Sequence, residues 1–130
     1  MLTAAGQRLL SLHMGQLTTH VLDTSAGLPA AGIMIELHEL AVTPPRLLAA
    51  VSTGRDGRCA APLLTGNEFR SGRYELTFHV ADYFRARGVS LPEPPFIEHA
   101  VIRFGISQPA EHYHVPLLIS PWSYSVYRGG

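Results

Sequence analysis

A chain of 130 residues, 46% hydrophobic and 15% charged, has the length of one domain and enough apolar side chains for a self-sufficient core. Its ten basic and ten acidic residues cancel and every basic residue is arginine, which argues against nucleic acid or an anionic membrane as partner and rules out a lysine Schiff base. Cys59 is the only cysteine, so there is no intrachain disulfide; a lone thiol fits a reducing, cytoplasmic setting, and no apolar run reaches the roughly 18 residues of a membrane-crossing helix.

Residues 1–15 are expected to be a disordered, dispensable leader, or a stretch upstream of a true start at Met14; the apolar patch Leu9-Leu10-Ser11-Leu12 is too short and broken for a signal-peptide core. From residue 16 onward the chain reads as a single domain. Leu17–Asp23 forms the first strand. The turn run Ser25-Ala26-Gly27-Leu28-Pro29 follows it. Ile33, Ile35 and Leu37 then alternate with Met34, Glu36 and His38, the period of a half-buried strand. Pro44-Pro45 separates this from a strand over Leu47–Thr53, and Arg55-Asp56-Gly57 marks a tight turn. A further short strand is expected near Pro62–Leu64. Tyr74, Leu76, Phe78 and Val80 oppose Glu75, Thr77 and His79 in the next strand, and only Asp82–Arg87 reads as a helix. After Pro92–Pro95, Phe96–Phe104 alternates again, and His112–Ser120 and Trp122–Arg128 complete the set. Ten prolines and twelve glycines break the runs into short pieces. Many short strands with turn chemistry between them imply an all-β sandwich with one short helix.

Alternate residues of a strand share a face, so His112 and His114 point the same way. Three readings stay open for them from spacing alone: a metal pair, acid–base catalysis, or structural hydrogen bonding. The metal reading lacks a third ligand at matching spacing. His20 shares a face with Thr18 and Leu22 and reads equally as an outward histidine of an edge strand. Arg58, directly after Asp56-Gly57, is held at the mouth of a strand or is simply solvated. His13, His38, His79 and His99 read as surface or structural residues, and Cys59 as a small half-buried one. There is no Gly-x-Ser-x-Gly elbow, P-loop or dinucleotide fingerprint.

Four segments together carry a resemblance. They are Leu17-Thr18-Thr19-His20-Val21-Leu22-Asp23, Gly27-Leu28-Pro29-Ala30, Asp56-Gly57-Arg58-Cys59, and His112-Tyr113-His114-Val115-Pro116-Leu117-Leu118 running on to Tyr127-Arg128-Gly129. Gly72-Arg73-Tyr74 and Asp82-Tyr83-Phe84 agree with them. The chain resembles the 5-hydroxyisourate hydrolases of the transthyretin-like family over residues 16–130. Transthyretin, the hormone carrier, has the fold without the His-x-His pair or the Tyr-Arg-Gly ending. The resemblance implies an eight-stranded transthyretin-like (prealbumin-like) sandwich with one short helix. It implies a homotetramer with active sites at the dimer–dimer interface, and no metal or organic cofactor. It also implies an activity: water opens the six-membered ring of 5-hydroxyisourate to give 2-oxo-4-hydroxy-4-carboxy-5-ureidoimidazoline, a step in urate breakdown. The family's catalytic positions fall on His20, Arg58 and His114, and its substrate-binding positions on Arg58, Tyr127 and Gly130. Gly130 is a departure, because the family motif ends Tyr-Arg-Gly-Ser and here the hydroxyl is missing. The alternative is a non-catalytic transthyretin-like carrier of a small ligand; a metal-binding sandwich built on His112 and His114 is a third reading.

Overall fold

A computed structural model of the chain describes residues 15–129. The expected leader, apart from Gly15, and the terminal Gly130 therefore lie outside the described residues. Strands β1 (Gln16–Asp23), β2 (Leu28–Pro29), β3 (Met34–Glu39), β4 (Arg46–Ser52), β5 (Leu64–Thr65) and β6 (Gly72–Phe78) precede the helix α1 (Val80–Ala86). Strands β7 (Ala100–Ile106), β8 (Tyr113–Ile119) and β9 (Tyr124–Val126) follow it. They form two sheets, one in the order β2-β1-β8-β9 with β5 also paired to β1, the other in the order β4-β3-β6-β7.

The alternation read from the sequence is the alternation of burial. Leu17, Thr19, Val21 and Asp23 of β1 face inward and their even-numbered neighbours face out. Tyr113, Val115, Leu117 and Ile119 of β8 are buried likewise, with His114 and Leu118 less so and Pro116 covered. They meet Ile35, Leu37, Leu76 and Phe78 of the second sheet in one core. Each fully buried Leu, Ile, Val or Phe stabilises the fold by about 1.5–3 kcal/mol. Asp23 is the polar exception. Its carboxylate accepts hydrogen bonds from the Ser25 and Ala26 N–H groups, from the Ser25 hydroxyl and, at 2.9 Å, from the Tyr83 hydroxyl of α1. Burial and then this carboxylate push the Tyr83 phenol up to about 12. The charged acceptor thereby ties the first turn to the helix.

Four expectations shift in detail. Leu28–Pro29, read as turn, pairs with β1 at Leu22 and Asp23 as an added two-residue strand. The helix begins at Val80 rather than Asp82, because Val80, Ala81, Tyr83 and Phe84 make the buried face of one turn and a half. The strand expected from Phe96 begins only at Ala100; its partner β6 ends at Phe78, opposite Ala100, and leaves nothing for residues 96–99 to pair with. The last strand shrinks to Tyr124–Val126, since Ser120–Ser123 close a tight turn through hydrogen bonds of Ser120 with Ser123.

β1 and β8 run parallel, with Thr18 opposite His114 and His20 opposite Pro116. The other edge of β1 is covered by three short pieces in succession: β5 at Gln16 and Leu17, the Asp56–Arg58 turn at His20, and β2 at its end. This patchwork brings the Asp-Gly-Arg turn beside His20.

Candidate active site

The outward faces of β1 and β8 carry Thr18, His20 and His114 side by side, and His112, just before β8, joins them through Thr18. Arg58 enters from the turn, forming an isolated β-bridge with His20. The local sequence dictates this turn. The Asp56 carboxylate accepts the Arg58 N–H at 3.0 Å, and Gly57 takes φ +76°, a conformation that disfavours a side chain. The Gly57 carbonyl accepts the Val21 N–H at 2.9 Å, locking the turn against β1.

His20 Nε2 lies 2.8 Å from the Asp56 carbonyl oxygen. A carbonyl only accepts, so Nε2 carries the proton and Nδ1 is left as the basic atom. His114 Nδ1 lies 2.8 Å from the Thr18 hydroxyl, which is also 2.8 Å from His112 Nε2. The two imidazoles thus converge on one hydroxyl. No group of three or more His, Cys, Asp or Glu among the described residues is placed to hold a metal ion. Partial burial pushes the His114 imidazole below its ordinary range, and the charges of Arg58, His112 and His20 act in the same direction. Both causes favour the neutral form of the His114 ring.

Thr18, Arg58, Cys59, Pro62, His112 and His114 line an open cleft of ≈ 360 Å³. Among the described residues no carboxylate lies within ion-pair distance of Arg58, so its guanidinium is free for a ligand's oxygens. Burial, and then the negative charge of Asp56, push the Cys59 thiol up; it stays protonated and is no nucleophile. The chain's last described residues return along β8. The Gly129 N–H donates to the His114 carbonyl at 2.7 Å, and a Cβ at Gly129 would lie 3.0 Å from His114 Cδ2. Glycine at this position leaves the imidazole its room.

Of the residues singled out by sequence, the structure brings His20, Arg58, His112 and His114 to one face. Tyr127 instead borders a second, more apolar cavity of ≈ 190 Å³ between β7 and β9, with Phe104, Tyr113, Val115 and Arg128 among its neighbours. His79 lies elsewhere, donating from Nε2 to Glu36 at 2.6 Å with the His99 ring 4.5 Å away. Thr18 has no candidate role in the sequence. Its only signal was its position two residues before His20 on the same face.

A family model described as the HIUase/Transthyretin family matches residues 17–129. The 5-hydroxyisourate hydrolase of Pseudomonas aeruginosa is 56% identical over 116 residues, 89% of this chain and 92% of that protein. Among solved structures, the 5-hydroxyisourate hydrolase of Klebsiella pneumoniae superposes with a TM-score of 0.75 at 33% identity, covering 90% of this chain and 100% of the other. An (S)-allantoin synthase superposes with a TM-score of 0.86 at 45% identity over 95% of this chain, which spans 48% of that longer protein.

Proposed function

The chain belongs to the HIUase/Transthyretin family, and on that premise we propose that it is a hydrolase that opens the six-membered ring of 5-hydroxyisourate, with its site at the cleft lined by Arg58 and His114, beside which His20 lies. The observation that carries the reading is the gathering of the His20 and His114 imidazoles and a guanidinium with no carboxylate partner among the described residues on one open face. One imidazole takes a proton from water as its oxygen adds to a ring carbonyl. Arg58 holds the planar, carbonyl-rich substrate and neutralises the oxyanion that develops. Collapse of the tetrahedral intermediate breaks the ring C–N bond; the imidazolium gives its proton to the leaving nitrogen, and the carboxylic acid formed ionises, releasing water's second proton to solvent. A carrier of a small apolar ligand has no use for this combination.

Further parts of the proposal are a single hydrolase domain over residues 16–130, contributions to substrate binding from Tyr127 and Gly130, and a homotetramer. The free edges β7 and β9, with Val101, Tyr124 and Val126 exposed, support pairing with a second copy. The openness of the cleft supports its closure by another copy, which would bring in groups such as Tyr127. A cytoplasmic location is supported by the lone Cys59 thiol. No helix among the described residues is long and apolar enough to cross a membrane.

The test is the spectrophotometric decay of freshly generated 5-hydroxyisourate, compared as rates with and without the protein because the compound also decays unaided. We expect acceleration by the wild type, and equal or faster turnover by Gly130→Ser. A wild type that is inactive until serine is restored would mark a degenerate homologue; inactivity of both would discard the hydrolase reading. The pH profile gives a second check. His114 is pushed down by burial, so its basic form survives to lower pH. The acid limb of kcat/KM should fall below the free imidazole value of about 6.5. A limb at or above that value would mean that His114 is not the titrating base.

A further inference from the structure

We propose that Thr18 is a positioning residue that joins His114 to His112 as a two-step proton relay, serving the hydrolysis proposed above, on which this inference rests. The parallel register of β1 and β8 sets Thr18 opposite His114, and His112 precedes His114 by two residues on the same face. The Thr18 hydroxyl sits 2.8 Å from His114 Nδ1 and 2.8 Å from His112 Nε2. It has one proton. It therefore donates to one ring while accepting from the other, and the two tautomers are locked to each other.

In one setting His114 Nδ1–H donates to the Thr18 oxygen, and the Thr18 hydroxyl donates to His112 Nε2. His114 Nε2, with no hydrogen-bond partner among the described residues, is then the bare base. When it takes a proton from water, the Nδ1 proton passes to the Thr18 oxygen while the Thr18 proton passes to His112 Nε2. The positive charge moves from a half-buried ring that faces Arg58 and His20 to the exposed His112. Arg58 disfavours a second cation beside it, so the transfer relieves a like-charge contact. His114 is left neutral with its proton on Nε2, aimed at the leaving nitrogen. As that proton is given up, the relay runs backward and Nδ1–H is restored. Over the cycle the water proton ends on the leaving nitrogen and the hydroxide on the carbonyl carbon. The relay returns to its starting state.

Thr18→Val keeps the β-branched shape on an outward strand position and removes only the hydroxyl; Thr18→Ser keeps the hydroxyl. His112→Phe changes an exposed residue and removes the terminal acceptor. In the decay assay, Thr18→Val should lower kcat about tenfold or more with KM within about twofold, and Thr18→Ser should recover most of it. His112→Phe should cost about as much as Thr18→Val, and the double variant no more than either alone, because both cut one relay. Wild-type kcat in Thr18→Val, a Thr18→Ser as poor as Thr18→Val, or additive losses would overturn the relay while leaving the hydrolase reading intact. Nitrogen-15 imidazole spectra of the resting protein test it even if wild-type turnover is absent. Thr18→Val should alter the ring signals of both His112 and His114, and a change in only one or in neither would overturn it.

Discussion

His114→Asn and His20→Gln should each lower kcat by about 10²-fold or more, the usual effect of losing a positioned acid–base group. The two substitutions differ because the two rings are held by different atoms. Asparagine places an amide near the Nδ1 position and can keep the contact with Thr18; glutamine places one near Nε2 and can keep donating to the Asp56 carbonyl. Each variant thus preserves its hydrogen bond and removes only the basic atom. Single-turnover and steady-state decay of 5-hydroxyisourate read the loss, and unchanged circular dichroism excludes unfolding as its cause. Which ring takes the water proton follows from which variant loses the acid limb, though neighbouring rings can titrate jointly. Near-normal turnover in both single variants would sink the assignment of this face as the active site.

A comparably large effect is expected from a residue with no side chain. Gly57→Ala should lower stability by about 3 kcal/mol, on the order of 10 °C in Tm, and reduce kcat/KM about tenfold. At φ +76° an alanine costs roughly 1–2 kcal/mol before any contact is counted. Its Cβ would also press into the Val21 carbonyl oxygen and lie 3.2 Å from both His20 Cδ2 and Pro29 Cβ. The turn must back away, which strains the Val21–Gly57 hydrogen bond and moves the Asp56 carbonyl off His20. Each bond lost costs about 1 kcal/mol. Gly32→Ala is the control: φ is +77°, yet nothing lies within 4 Å of the added Cβ. It should cost only the backbone term and leave kcat/KM unchanged. A Gly57→Ala as mild as Gly32→Ala in both thermal melts and turnover would show that the turn does not hold His20 and Arg58 in place.

Much of this molecule is legible in its sequence. Period-two alternation in 17–23, 33–37 and 74–78 marked which side chains enter the core, because a strand with one wet face must alternate. Boundaries were less legible. Val80 continues the alternation of β6 yet begins a helix, since its burial against the core suits either conformation. Phe96–His99 alternate like a strand and have no strand to pair with. Strand ends depend on the partner, and the partner lies far along the chain.

The site divides along the same line. Sequence by itself determined the sandwich, the inward and outward faces, and, through its motifs, that His20, Arg58 and His114 belong together. It left the His-x-His pair open between metal binding, catalysis and structure, because spacing within one strand says only that two rings share a face. The tertiary structure decided what faces them. The parallel pairing of β1 with β8 joins residues some 96 positions apart, placing one hydroxyl between two imidazoles, while the Asp-Gly-Arg turn sets a carbonyl on the third. The tautomer of His20 follows from its carbonyl neighbour, and the coupling of the other two rings from the hydroxyl they share. They come from strand pairing within one sheet between segments far apart in the chain, a long-range constraint that no local pattern records.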